Sequence, residues 1–340
     1  MEKIENFKSV CFKIGLVMTV FYVFRVLSGL VSAFLYDDFS DKWGEEACYI
    51  IVLFVKIVAA YIIPIAAAWA LIGVKPLREL YKKPPRLAKA LGNFPAMYGL
   101  GQMANILTIL AVWLITKIVN IEKSFAPISG GGMPKSLVCG MATAFAAVFC
   151  AALFEEFIAR GIFLEALKPY GTGFAVMMSA FLFGIMHGNF EQFFYAFIMG
   201  IVLGYIAVQT GSILAGTIMH AMFNSVAAFV ILFMSTKSSE YLNHGGEIPE
   251  ENMPVLAIYG MFTIVLAGLL ICGIALAFKK LSRLRIYKMP NAWTDITGKR
   301  KTVVFFTRFS VIITLALAAD AFAGGVTTNI IFEIIRGSRF

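Results

Sequence analysis

Apolar runs long enough to cross a bilayer, about 20 residues each, recur along the whole chain with short polar connectors between them. They fall at roughly 10–36, 47–73, 94–119, 137–167, 174–188, 191–209, 212–235, 254–278 and 303–324. The fifth is short, so the count is eight or nine. This pattern predicts an all-α fold, a polytopic transmembrane helix bundle.

The connectors differ in charge. Residues 75–89 hold Lys75, Arg78, Lys82, Lys83, Arg86 and Lys89 against Glu79 alone. Residues 279–301 hold Lys279, Lys280, Arg283, Arg285, Lys288, Lys299, Arg300 and Lys301 against Asp295. The connections near Asp37–Glu46 and Glu240–Glu251 are acidic instead. Short cytoplasmic loops favour Lys and Arg, which places both basic connectors in the cytoplasm. Nine spans with a cytoplasmic N-terminus put every one of these loops on its expected side. The N-terminal run is too long, and too interrupted by Arg25, for a signal peptide and is read as retained. Gly130, Gly131 and Gly132 read as an outer loop before the fourth span.

Composition sharpens the class. The 340 residues are 60% hydrophobic and 14% charged, with mean hydropathy +0.83, whereas soluble domains carry roughly 25% charged residues. A core of this size cannot hide so much apolar surface from water, so lipid must cover part of it. The net charge of +9 does not point to nucleic acid, because the basic residues cluster in membrane-orienting loops. Cys11, Cys48, Cys139, Cys150 and Cys272 lie in or beside apolar runs at no metal-ligand spacing.

Charges within the hydrocarbon are costly and each needs a reason. The fourth span reads Phe154-Glu155-Glu156-Phe157-Ile158-Ala159-Arg160. Glu156 and Arg160 stand four apart on one helical face and can pair, which leaves Glu155 roughly a third of a turn away to point elsewhere. Two of the three histidines lie in spans, His187 and His220, and His220 shares a face with Asn224. The third, His244, sits in a polar outer loop. Around the turn 168–173, Glu155 lies ~18 Å before and His187 ~20 Å after, at about 1.5 Å per residue, so a hairpin brings them level. His220 lies only ~12 Å past Ser212 on the same count, which calls for a tilted helix or a deeper turn at 209–211. A cluster of this kind describes amide hydrolysis. A buried carboxylate serves as base toward water, His187 shares that water or protonates the departing amine, and His220 with Asn224 donates to the oxyanion, worth roughly 3–4 kcal/mol per donor. Arg25, Lys56 and Asp320 also lie inside apolar runs and are read as snorkelling or structurally paired, with Asp320 a candidate partner of Arg25 or Lys56.

These residues resemble the three motifs of the CPBP family, intramembrane proteases that include the type II CAAX prenyl endopeptidases and bacterial bacteriocin-processing and self-immunity proteins. The pattern EExxxR, FxxxH and HxxxN occurs in order as Glu155-Glu156 with Arg160, Phe183 with His187, and His220 with Asn224. The resemblance covers roughly residues 136–232, between N-terminal spans in 1–135 and C-terminal spans and tail in 233–340. It implies an intramembrane endopeptidase acting on a peptide or protein substrate, with Glu155 and His187 activating water, His220 and Asn224 forming the oxyanion site, and Glu156 and Arg160 in support. Bacterial members imply a multi-pass protein of the bacterial plasma membrane. No HExxH is present; Glu155, His187 and His220 would make a His₂Glu zinc set with Glu191 nearby, but Asn224 suits hydrogen bonding better, and no cofactor is expected. Two other classes fit the same residues: a non-catalytic scaffold or immunity protein that binds a peptide, and a proton-relaying transporter, against which the lack of inverted repeats counts.

Overall fold

The computed structural model describes residues 2–119, 136–236, 250–281 and 296–323, and among these all regular structure is helical. His244, the glycines 130–132 and most of the connectors 240–251 and 279–301 lie outside the described residues.

Eleven helices matter here. They are α1 (Glu2–Trp43), α2 (Glu45–Leu71), α3 (Leu77–Leu80), α4 (Phe94–Val119), α5 (Leu137–Tyr170), α6 (Thr172–Met186), α7 (Phe190–Thr210), α8 (Leu214–Met234), α9 (Met253–Leu281), α10 (Gly298–Phe306) and α11 (Phe309–Phe322). Seven helices are long and apolar enough to cross a membrane: α1, α2, α4 with its leading turn, α5, α7, α8 and α9. The chain is an integral multi-pass membrane protein. Helix α6 is apolar but has only 15 residues. The expected span at 303–324 is not one straight helix: α10 and α11 meet at 72° and make an eighth crossing only if taken together. The break has a local cause. Arg308 takes an extended backbone, φ −74° and ψ 133°, and its Nε donates back to the Val304 carbonyl.

Lipid-like packing holds the bundle together. Helix interfaces in a bilayer rely on small residues that let backbones approach. At the α4–α9 contact, a Cβ on Gly99 would lie 2.3 Å from the Gly273 carbonyl carbon. Serine and threonine bridge α1 to α11: Ser310 Oγ donates to the Phe12 carbonyl and Thr314 Oγ1 to the Gly15 carbonyl at 2.9 Å. Large apolar side chains such as Leu107, Trp113, Ile264 and Ile271 face outward, where hydrocarbon rather than water is their natural solvent.

One connection positions the site. The α7–α8 turn is buried, with Ser212 and Ile213 each 3% exposed. Helix α3 covers it: the Leu80 carbonyl accepts from Ile213 N at 2.9 Å and from Ser212 Oγ at 3.1 Å. The basic connector that carries α3 is pinned by Lys75 to Glu165 at 2.5 Å, and Lys168 holds the same carboxylate at 2.7 Å. Lys301, expected in a solvated basic loop, is instead 2% exposed and donates to the Tyr170 carbonyl at 2.7 Å.

Candidate active site

Helix α5 is not α-helical throughout. A five-residue α stretch, Ala152–Glu156, lies between π-helical segments at Ala146–Ala151 and Phe157–Leu164. Such segments shift the helical face by accommodating an extra residue, and they recur at functional sites. Ser179 of α6 donates at 2.7 Å to the Ala159 carbonyl within the second one.

Glu156 and Arg160 form the ion pair that their spacing predicts. Arg160 Nη1 donates to Glu156 Oε1 at 2.6 Å, with both side chains 0% exposed. Arg160 Nη2 reaches the Gly200 carbonyl at 3.1 Å, and the guanidinium lies 4.4 Å from the Phe183 ring centroid, a cation–π contact strengthened by desolvation. Gly216 of α8 gives Glu156 its room: a Cβ there would lie 3.2 Å from Oε2. The pair is thus walled in by α6, α7 and α8.

His220 joins the two carboxylates. Its Nδ1 lies 3.1 Å from Glu156 Oε1, and its Nε2 lies 3.8 Å from Glu155 Oε2. The second distance is too long for a direct hydrogen bond and short enough for one water to touch both atoms. The contact with Glu156 also selects a tautomer. A carboxylate only accepts, so in the neutral ring Nδ1 carries the proton and Nε2 is left as an acceptor. His220 therefore offers a donor to an oxyanion only as imidazolium, a narrower role than the sequence suggested.

His187 ends α6 and points the same way electronically. Its Nδ1 lies 2.9 Å from the Phe183 carbonyl, which only accepts, so Nε2 is again the free acceptor. The ring lies within electrostatic reach of Glu155, His220 and Arg25 and edge-on to Phe183 and Tyr195. Helix α1 caps the end of α6: Tyr22 donates to the Ile185 carbonyl, and Arg25 Nη1 donates to the Met186 and His187 carbonyls at 2.9 and 3.1 Å. A cation at a helix C-terminus satisfies orphan carbonyls and complements the dipole. Gly188 follows with φ +68°.

Asn224 is half-buried one turn beyond His220, and its Nδ2 donates at 2.8 Å to the Ala147 carbonyl in the first π segment of α5. One amide hydrogen is thereby committed and the other remains. Glu155, at 15% side-chain exposure, is held by a residue that sequence reading missed. Tyr61, in the π segment Val58–Ile62 of α2, donates its hydroxyl to Glu155 Oε1 at 2.8 Å and stacks on Phe154. Nothing in the apolar run around Tyr61 marks it. Arg25 was visible as an intramembrane charge, but its target was not. Neither Arg25 nor Lys56 pairs with Asp320; the hydrogen-bond partners of Arg25 are the end carbonyls of α6.

Among the described residues no three His, Cys, Asp or Glu side chains are placed to hold a metal ion. Glu155, His187 and His220 do not form such a group, although Tyr61 engages only one oxygen of Glu155 and each histidine's partner engages only Nδ1. The arrangement is suited to general base chemistry: a carboxylate with one oxygen fixed and the other facing an imidazole acceptor, beside a second imidazole acceptor.

Residues 138–226 match the family described as type II CAAX prenyl endopeptidase Rce1-like. No curated protein and no solved structure matches the chain. The matched stretch runs from α5 into α8 and contains Glu155, Glu156, Arg160, His187, His220 and Asn224, while Arg25, Lys56 and Tyr61 lie outside it. The segment that carries EExxxR, FxxxH and HxxxN is thus similar to the Rce1-like type II CAAX prenyl endopeptidase family, in line with the resemblance its motifs showed.

Proposed function

We propose that the chain is an intramembrane endopeptidase that hydrolyses peptide bonds of a peptide or protein substrate at Glu155. One observation carries the reading: Glu155 Oε1 is held by Tyr61 while Oε2 stands 3.8 Å from His220 Nε2. A water at that spot donates one hydrogen to each acceptor and turns its lone pairs outward, the posture of a nucleophile.

The steps balance with these residues alone. The water oxygen attacks the scissile carbonyl carbon as Glu155 takes its proton, giving a tetrahedral oxyanion. The remaining amide hydrogen of Asn224 is its donor, while neutral His220 serves as an acceptor that aims the water. The C–N bond then breaks, and the proton held by Glu155 passes to the departing amine, directly or by way of His187. Glu156 fixes the His220 tautomer, and Arg160 pairs with Glu156 in an apolar surround. A scaffold that merely bound peptides would have no need of that coupling.

The test is cleavage by purified full-length protein in lipid, read by mass spectrometry on peptides from its host. Glu155→Gln and His187→Ala each abolish fragments while the protein inserts and accumulates normally. Fragments that persist in a well-inserted Glu155→Gln variant would refute the reading.

A further inference from the structure

The charges at the centre do not sum to zero. Glu156 and Arg160 cancel within their buried pair. That leaves the Glu155 carboxylate against two cations, Arg25 and Lys56. Lys56 stands in the apolar run of α2, half-buried, five residues before Tyr61. Among the described residues its ammonium has no acceptor within bonding distance, and the charge it feels is that of Arg25. An ammonium inside a span with a guanidinium for a neighbour and no acid is costly, and such residues ordinarily face a partner or a ligand path.

Arg25 is placed rather than dangling. Its Nη1 is committed to the Met186 and His187 carbonyls. Its guanidinium lies against Gly188, where a Cβ would come within 2.7 Å of Nη1 and 3.0 Å of Cζ. The side chain is otherwise exposed, and its Nε and Nη2 make no hydrogen bond among the described residues. That unused edge is the planar fork that grips a carboxylate with two parallel bonds. Arg25 is in electrostatic reach of both His187 and Tyr61, so its charge bears on the groups around Glu155. Arg25 and Lys56 themselves lie outside the matched segment 138–226; two flanking helices bring them to it.

We infer that Arg25, with Lys56 adding its charge from α2, forms an anion subsite beside His187 that takes a carboxylate of the peptide being cleaved. The inference rests on the endopeptidase reading for the word cleaved, and on the flanking helices alone for the subsite. A carboxylate reaches such a subsite from either of two sources, the free C-terminus of the substrate or an Asp or Glu side chain near the scissile bond.

The experiment uses the full chain in phosphatidylcholine vesicles with a set of synthetic apolar decapeptides. Each is made as the free acid and as the C-terminal amide, with and without one internal glutamate. Binding is measured by thermophoresis and cleavage by mass spectrometry. The carboxylate-bearing forms bind about tenfold or more tightly than the uncharged form, as a charge-assisted bond predicts, and where cleavage occurs the advantage lies in KM rather than kcat. A terminal source shows as loss on amidation; a side-chain source shows as rescue of the amide by the internal glutamate. Lys56→Gln shrinks the preference about threefold, and Arg25→Gln with Lys56→Gln removes it. Equal binding of all four forms, or a preference that survives the double substitution, overturns the subsite. So does phosphatidylglycerol held through Arg25 and Lys56 with no peptide preference, which would make the occupant a lipid. Binding preference without any Glu155-dependent fragment would keep the subsite and defeat the proteolytic reading instead.

Discussion

Two pairs of charged residues inside the bundle obey different rules. Glu156 and Arg160 sit one turn apart on α5, touch at 2.6 Å and are fully buried, so each is the other's solvent. Arg25 and Lys56 come from α1 and α2, carry the same sign, and are exposed and half-buried respectively. The first pair is neutral within itself and braces helices, with only Glu156 Oε2 and Arg160 Nε lacking a hydrogen bond among the described residues; the second is net positive and reaches the surface. A charge survives in an apolar span either by local neutralisation or by standing at a place where something polar arrives, and only the first kind is written in residue spacing.

The largest expected effect tests the neutral pair. Arg160→Met leaves Glu156 buried without its counter-ion, costing about 3–5 kcal/mol, seen as a lowered unfolding midpoint in detergent and reduced accumulation. Adding Glu156→Gln to Arg160→Met recovers a good part of that loss, because the uncompensated charge is then gone. Should the single and double variants be equally unstable, the pair is not the brace described above.

Next comes the carboxylate the pair leaves free. Glu155→Gln lowers the cleavage rate roughly 10²- to 10⁴-fold without moving the unfolding midpoint, which separates chemistry from bracing. Tyr61→Phe removes the hydroxyl that holds Glu155, a bond to a charged group worth about 1.5–3 kcal/mol, and slows cleavage roughly in proportion with the fold intact. A rate equal to that of the native chain would show that Glu155 needs no support from α2. The smallest effect belongs to the positive pair. Gly188→Ala forces a side chain into a left-handed backbone at about 1–2 kcal/mol and pushes its Cβ into the Arg25 guanidinium. It should weaken binding of carboxylate peptides more than of uncharged ones, measured side by side in the same vesicles.

How much of this was legible in the sequence follows the same division. The apolar runs located the helices because a bilayer fixes a minimum length, and the i, i+4 spacing of Glu156 and Arg160 gave their contact because both lie on one helix. Three motifs on three helices named candidate residues without naming their partners. Tyr61 was invisible: a tyrosine in an apolar run has no signature until another helix places a carboxylate 2.8 Å from its hydroxyl. The orientation of His220 was hidden for the same reason, since its tautomer depends on which ring nitrogen meets Glu156. The bend between α10 and α11 was missed because hydropathy averages over Arg308, whose extended backbone ends one helix and starts the next. Lys301 misled in the opposite sense, a loop-like lysine whose ammonium finds a carbonyl indoors.

The π segments carry a consequence for how tolerant this bundle is of changes in chain length. Val58–Ile62 bears Tyr61, Ala146–Ala151 bears the carbonyl that accepts from Asn224, and Phe157–Leu164 bears Arg160. Each is wound more loosely than an ordinary turn, near 4.4 rather than 3.6 residues. Deleting one residue there would let the helix tighten to regular geometry with its two ends almost in place, whereas a deletion elsewhere would rotate everything downstream by about 100°. Single-residue shortening should therefore be survivable for the architecture at these three places, and ruinous for the hydroxyl, carbonyl or guanidinium that each one aims.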